Sequence, residues 1–147
     1  MIYNFKFSTD YWIKLINTPG PHSGFIHPLL NITDNNYKAI AAPIFDFLET
    51  FKHEYWHYDG CGFGYDRYFG WIFTAGPHDA PPWRTPGILG GAFLATKRRL
   101  EEIEYLGRGM VGWGGENIEL SLKNWMCDGE IYYVPCSRWV DIKSHFS

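Results

Sequence analysis

No apolar run in the 147-residue sequence approaches the ~18 residues of a membrane-spanning helix. No signal peptide is visible at Met1 either. Basic residues are too few for a nucleic-acid footprint: 13 Lys and Arg stand against 16 Asp and Glu, a net charge of −3. Cysteine is scarce and odd in number. Cys61, Cys127 and Cys136 leave at least one thiol unpaired within the chain, which points to free thiols or to partners outside it. Internal repeats and low-complexity tracts are also absent.

What remains has an ordinary globular balance, 46% hydrophobic and 20% charged, and is about one domain in length. Aromatics reach 19%, which suits a surface facing carbohydrate or nucleotide and equally suits a Trp-rich core. Asn31-Ile32-Thr33 is a glycosylation sequon, usable only in the secretory pathway.

The first 22 residues are aromatic-rich and end in Thr18-Pro19-Gly20-Pro21, where Pro forbids helix and a loop or boundary is expected. Residues 24–30 allow one short helical turn. The nearly continuous apolar run 37–45 predicts a buried strand, with Pro43 near its end and Asp46 directly after it. Residues 61–73 alternate Gly and aromatics, as in a strand or bent ribbon, and the Pro-rich stretch 74–83 reads as a surface loop.

Gly90 and Gly91 fall inside an apolar strand, where Gly is unfavourable unless a ligand or another backbone must approach. Thr96 can cap a helix over residues 97–106, closed by Gly107. A second helix is expected from Gly115 to about Cys127, with Ile118, Leu122, Trp125 and Met126 its apolar residues and Asp128-Gly129 its stop. Residues 130–135 then read as a strand.

Two stretches could carry chemistry. His53-Glu54-Tyr55-Trp56-His57 has the literal H-E-x-x-H pattern of zinc peptidases, in which a helix sets both imidazoles one turn apart with Glu54 as general base. Thr50, Phe51, Tyr55, Trp56 and Tyr58 favour a strand instead. In a strand His53 and His57 would lie roughly 13 Å apart, too far for one metal. Phe63 stands where the extended signature wants a third His. A zinc hydrolase acting through His53, Glu54 and His57 is therefore an alternative with its own neighbours against it.

The second stretch is Gly112-Trp113-Gly114-Gly115-Glu116-Asn117-Ile118-Glu119. Adjacent glycines let backbone approach a ligand where a Cβ would clash. On a helix Glu116 and Glu119 share one face at its positive end. A carboxylate and an amide together can accept from and donate to vicinal hydroxyls. The plainer reading is a glycine turn and a helix start whose acids answer the dipole alone.

Arg84-Thr85-Pro86, Gly90-Gly91-Ala92-Phe93, the run from Trp113 through Ser121, Trp125-Met126-Cys127 and Val134-Pro135-Cys136-Ser137-Arg138 occur in a familiar order and spacing. Together they closely resemble the C-terminal half of the catalytic domain of polypeptide N-acetylgalactosaminyltransferases. The stretch around Trp113–Asn117 is shared more widely with galactosyltransferases. The resemblance is dense over residues 84–138 and covers about 23–141, which divides the chain into an unmatched segment 1–22 and a half-domain 23–147.

The resemblance implies an α/β fold: a partial GT-A (nucleotide-diphospho-sugar transferase-like) domain with a mixed sheet flanked by helices. It implies transfer of GalNAc from a UDP-GalNAc donor to Ser or Thr of a polypeptide acceptor, that is, mucin-type O-glycosylation in the Golgi lumen. Mn2+ would neutralise the charge that builds on the departing UDP. By the same resemblance Gly90, Gly91, Gly114 and Gly115 bring backbone to the sugar nucleotide, and Trp113 contacts the nucleotide sugar or leaving group. Glu116 and Asn117 would hydrogen-bond sugar hydroxyls at the reacting carbon. Asp141 falls where the family has a metal-binding His, and Cys127 and Cys136 correspond to cysteines that pair outside this stretch. The family's D-x-H metal element and uridine-binding half have no counterpart here. Little or no transferase activity is therefore expected of the isolated chain, and a non-catalytic glycan- or peptide-binding module is the alternative.

Overall fold

The computed structural model describes residues 2–6, 11–16, 20–21, 24–49, 55–56, 62–65, 71–74, 80–88, 91–107 and 115–143, with side chains for 24–45, 80–88, 91–107 and 115–139. In chain order the elements are β1 (Ile2–Lys6), β2 (Tyr11–Ile16), β3 (Gly20–Pro21), α1 (Ile26–Asn35), β4 (Ala39–Glu49), β5 (Tyr55–Trp56), β6 (Gly62–Tyr65) and β7 (Trp71–Thr74). They continue with β8 (Trp83–Arg84), β9 (Ala92–Thr96), α2 (Lys97–Glu102), α3 (Glu116–Met126) and β10 (Glu130–Lys143).

The main sheet is mixed, in the order β1-β2-β9-β4-β10-β3, with β5 paired to β4 and β8 to β10. β4 and β10 run parallel, and β9 lies antiparallel to β4 on its other side. Buried on both faces, residues 39–45 of β4 read as an unbroken apolar run, as parallel central strands do. Its side chains alternate between two cores. Ile40, Ala42 and Ile44 pack with Leu100, Ile103 and Leu120 beneath α2 and α3, whereas Ala41 and Phe45 pack with Phe25 and Leu29 beneath α1. β9 alternates in step, Phe93 and Ala95 on the first face, Ala92 and Leu94 on the second. The result is a sheet between helical layers, the α/β arrangement expected from the sequence.

Pro43 is tolerated in the middle of β4 because the register breaks beside it: Val134 pairs with Pro43, but the next pair is Arg138 with Ile44. Residues 135–137 bulge out of β10 between those pairs, and the buried Ser137 hydroxyl donates to the Phe25 carbonyl at 2.8 Å, fastening the bulge to the start of α1.

Several elements differ from expectation. The described parts of the first 22 residues join the sheet: β2 pairs with β9, and Gly20 and Pro21, expected in a loop, pair with Val140 and Trp139 at the sheet edge, where Pro is accepted. α1 runs ten residues rather than one turn. Gly91 lies in a bend just before β9, not within the strand. α2 stops at Glu102 rather than 106, because Glu104 and Tyr105 adopt left-handed backbone at φ 59° and 52°. β10 extends past Pro135 to Lys143. Thr96 caps α2 as expected, accepting from the Arg99 N–H at 3.1 Å while donating to the Tyr37 carbonyl.

Candidate functional site

α3 begins at Gly115, as the sequence indicates, but the apolar residues that mark it are not those it buries. Leu122, Trp125 and Met126 are exposed, Met126 at 84%, whereas Asn117, Leu120, Ser121 and Asn124 face the core. Burying an amide or a hydroxyl is tolerated only when it is hydrogen-bonded. Each of these finds a backbone partner.

Asn117, 4% exposed, donates its side-chain N–H to the Ile88 carbonyl at 3.3 Å. Ser121 accepts the Ile88 N–H at 3.3 Å and donates its own O–H to the Asn117 carbonyl at 2.6 Å. Trp125 Nε1 donates to the Pro86 carbonyl at 3.1 Å. Residues 117, 121 and 125 are spaced by four and so share one stripe of α3. That stripe fastens residues 86–88, the segment that leads into Gly90 and Gly91. Thr85 secures the other end, its N–H donating to the Ile131 carbonyl at 3.0 Å and its hydroxyl to the Gly87 carbonyl at 3.0 Å.

Glu119 works on the opposite side of the first turn. Its carboxylate accepts the Gly107 N–H at 2.9 and 3.0 Å and pairs with Lys123 at 2.8 Å, while Lys123 also donates to the Tyr105 carbonyl at 3.0 Å. The hydrogen bond from Lys123, then that from Gly107, holds the Glu119 carboxyl below its ordinary range. A Cβ at Gly107 would stand 2.8 Å from a Glu119 oxygen, so any side chain there would displace the carboxylate. The carboxylate thus ties the residue that opens the 107–115 connection to the helix that follows it.

The sequence-level candidates divide accordingly. Gly91, Gly115, Glu116 and Asn117 are described: Gly91 is buried, Gly115 caps α3, Glu116 is half-buried in the first turn and Asn117 reaches Ile88. Gly90, Trp113 and Gly114 lie outside the described residues. Asp141 is placed by its backbone in β10, paired with Phe47 and one position beyond the Val140–Asp46 pair. Ser121 and Trp125 enter the sequence reading only within the motif runs and Trp125 as an apolar helix residue, and Ile88 does not enter it; their hydrogen bonds to each other's segments join residues distant in sequence.

For the zinc motif, Tyr55 and Trp56 form a strand paired with Leu48 and Phe47, not the helix H-E-x-x-H requires, and His53, Glu54 and His57 lie outside the described residues. Among the described residues no three His, Cys, Asp or Glu side chains gather where one metal ion could bind. None of the described helices is long and apolar enough to cross a membrane.

Comparison with known proteins shows what this arrangement is similar to. Polypeptide N-acetylgalactosaminyltransferase 5 of Rattus norvegicus is 34% identical over 125 residues, 78% of this chain and 13% of its own length. An inactive polypeptide N-acetylgalactosaminyltransferase-like protein 5 of Macaca fascicularis is 30% identical over 125 residues, 78% of this chain and 28% of its own. The chain is a relative of the polypeptide N-acetylgalactosaminyltransferases.

No family model matches the chain. It spans 28% of the first curated relatives it matches, so it aligns with part of a transferase rather than the whole. The fold agrees. A crystal structure of GalNAc-T7 with UDP, GalNAc and Mn2+ superposes with a TM-score of 0.76 at 24% identity, over 86% of this chain and 26% of that one. The partial GT-A architecture read from the sequence is the observed one.

Proposed function

We propose that the chain carries the sugar- and acceptor-facing part of a glycosyltransferase site, of the class that moves GalNAc from UDP-GalNAc to Ser or Thr of a polypeptide. The observation that carries this reading is the Asn117–Ile88 hydrogen bond. It joins α3, which opens after Gly115, to the segment that precedes Gly91, and that supports reading the two glycine pairs as parts of one site.

In that site backbone at Gly90, Gly91, Gly114 and Gly115 approaches the donor, and Trp113 packs against the nucleotide sugar or leaving group. Glu116 accepts hydrogen bonds from sugar hydroxyls near the reacting carbon, with the Asn117 amide beside it. Mn2+, present in the GalNAc-T7 structure, would screen the diphosphate, and Asp141 is the oxygen donor we assign to it. Among the described residues no metal site is complete by itself. The compartment that fits this chemistry is the Golgi lumen.

As a 147-residue chain we expect binding with little or no transfer. D-x-H occurs nowhere in the sequence, and two of the relatives are named as inactive. The same two facts favour a second reading, a non-catalytic module that holds glycan or peptide. Calorimetry with UDP-GalNAc and with a Ser/Thr peptide, each with and without Mn2+, separates the two. Donor binding strengthened by Mn2+ supports a sugar-nucleotide site, and peptide binding indifferent to UDP and Mn2+ supports the module. GalNAc transfer to the peptide by the purified chain would refute the expected inactivity.

A further inference from the structure

We infer that the stripe Asn117, Ser121 and Trp125 acts as a positioning rack, setting the backbone that presents Gly90 and Gly91 instead of touching a ligand. The inference rests on the sugar-site reading only for what the rack serves. Its physical basis stands apart.

The peptide of Ile88 is gripped on both sides by two side chains one helical turn apart, its carbonyl by Asn117 and its N–H by Ser121. Pro86, two residues earlier, is held by Trp125. Ile88 is itself fully buried among Leu120, Ile131 and Tyr133, so neither of its backbone polar groups has water as an alternative partner. The Ser121 hydroxyl gives its proton back to the Asn117 carbonyl, which closes the grip on the helix. One N–H of the Asn117 amide serves the Ile88 carbonyl and its oxygen accepts the Ile118 N–H at 3.0 Å, so the side chain is tied to residue 88 from a fixed place on α3.

The consequence is a division of labour between neighbours. Glu116 is the ligand-facing member of the pair, and Asn117 is a positioning residue. Two glycines can follow many backbone paths, because Gly is permissive. Anchoring residue 88 narrows the paths open to the chain that follows it before any donor arrives.

Amide exchange of the whole 147-residue chain, followed by NMR without sugar nucleotide, tests the rack. Asn117→Ala is expected to speed exchange at Ile88 about tenfold, the loss of one buried hydrogen bond, with protection in β4 and β10 unchanged. Ser121→Ala removes the acceptor for the Ile88 N–H and should give the same local loss, which covers the case where Asn117→Ala does not fold. Asn117→Asp gives a signature that space-filling alone cannot produce. A neutral carboxyl can donate to the Ile88 carbonyl and an ionised one cannot, so protection relative to intrinsic exchange should fall as pH rises through its titration, while the wild type stays flat.

Wild-type protection at Ile88 retained in both alanine variants would overturn the rack. Free exchange of the Ile88 amide in the wild-type chain would do the same. Failure of the wild-type chain to bind UDP-GalNAc would instead overturn the sugar-site reading and leave the exchange result to stand or fall alone.

Discussion

The guanidinium of Arg99, 1% exposed, grips Asn124 at both ends of the residue, Nε donating to the side-chain oxygen at 2.7 Å and Nη2 to the backbone carbonyl at 2.8 Å. The same Nη2 reaches the Cys127 carbonyl at 2.9 Å, and Nη1 lies 3.4 Å from Glu102. Asn124 in turn donates to the Glu130 carbonyl at 2.9 Å. One buried cation on α2 therefore caps the C-terminus of α3 and sets the start of β10. Charge at that end also suits the helix dipole.

Arg99→Met should cost about 3 kcal/mol of stability, because it strips the buried Asn124 side-chain oxygen of its donor and removes one donor each from the Asn124 and Cys127 carbonyls. Arg99→Lys should recover little of it, since an ammonium cannot reproduce the planar fork. Gly129→Ala should be damaging for the same reason: a Cβ there would run into Arg99 and Asn124. Urea unfolding of the three variants checks this. A Lys variant as stable as the wild type would show that charge, not the fork, holds the junction.

Much of this was legible in the sequence, and the misses have physical causes. The apolar run of β4, the Thr96 cap and the Gly115 start of α3 each announce themselves through a local rule that the fold obeys. The orientation of α3 was not legible. Apolar spacing suggested one face, yet Asn117, Ser121 and Asn124 are the buried ones because backbone at residues 88 and 130 lies where they can reach it. Such partners are distant in sequence and leave no local signal. α2 ends early for a related reason. Lys123 and Glu119, on α3, fix the left-handed turn that replaces its last residues.

Stability should fall on acidification in a way that Glu119 can be shown to carry. Its carboxyl is held low on folding by Lys123 and Gly107. A carboxyl depressed in the folded state stabilises above its unfolded pKa, near 4.3, and that contribution disappears as pH drops through the lower folded value. Glu119→Gln should be less stable at pH 7 by about 1 kcal/mol. The gap to wild type should narrow below about pH 4. Chemical denaturation at pH 7, 5 and 3 measures it, and a gap independent of pH would remove Glu119 as its source.

Cys127, at the C-cap of α3, and Cys136, in the β10 bulge, are both exposed free thiols. Both should be alkylated in the native, reduced chain at rates close to those of the denatured one, because exposure and not unfolding controls access. Peptide mass spectrometry after a timed iodoacetamide pulse resolves each site. Protection of Cys127 would mean that the exposed Leu122, Trp125 and Met126 beside it are covered in solution.

The assignment of Glu116 can be separated from its role as a helix-start acid. It lies in the first turn of α3, where any negative charge gains a few tenths of a kcal/mol from the dipole. Glu116→Gln keeps the size and removes the charge. If the residue only answers the dipole, stability falls slightly and donor affinity does not change. If it accepts from sugar hydroxyls, a charge-assisted hydrogen bond is weakened, worth about 1.5–3 kcal/mol, or roughly ten- to a hundredfold in Kd. UDP alone should then bind both forms equally, because it lacks the sugar. Calorimetry of UDP and UDP-GalNAc against both chains gives the four affinities. A loss confined to UDP-GalNAc assigns Glu116 to the sugar, and an equal loss for both ligands moves it to the nucleotide.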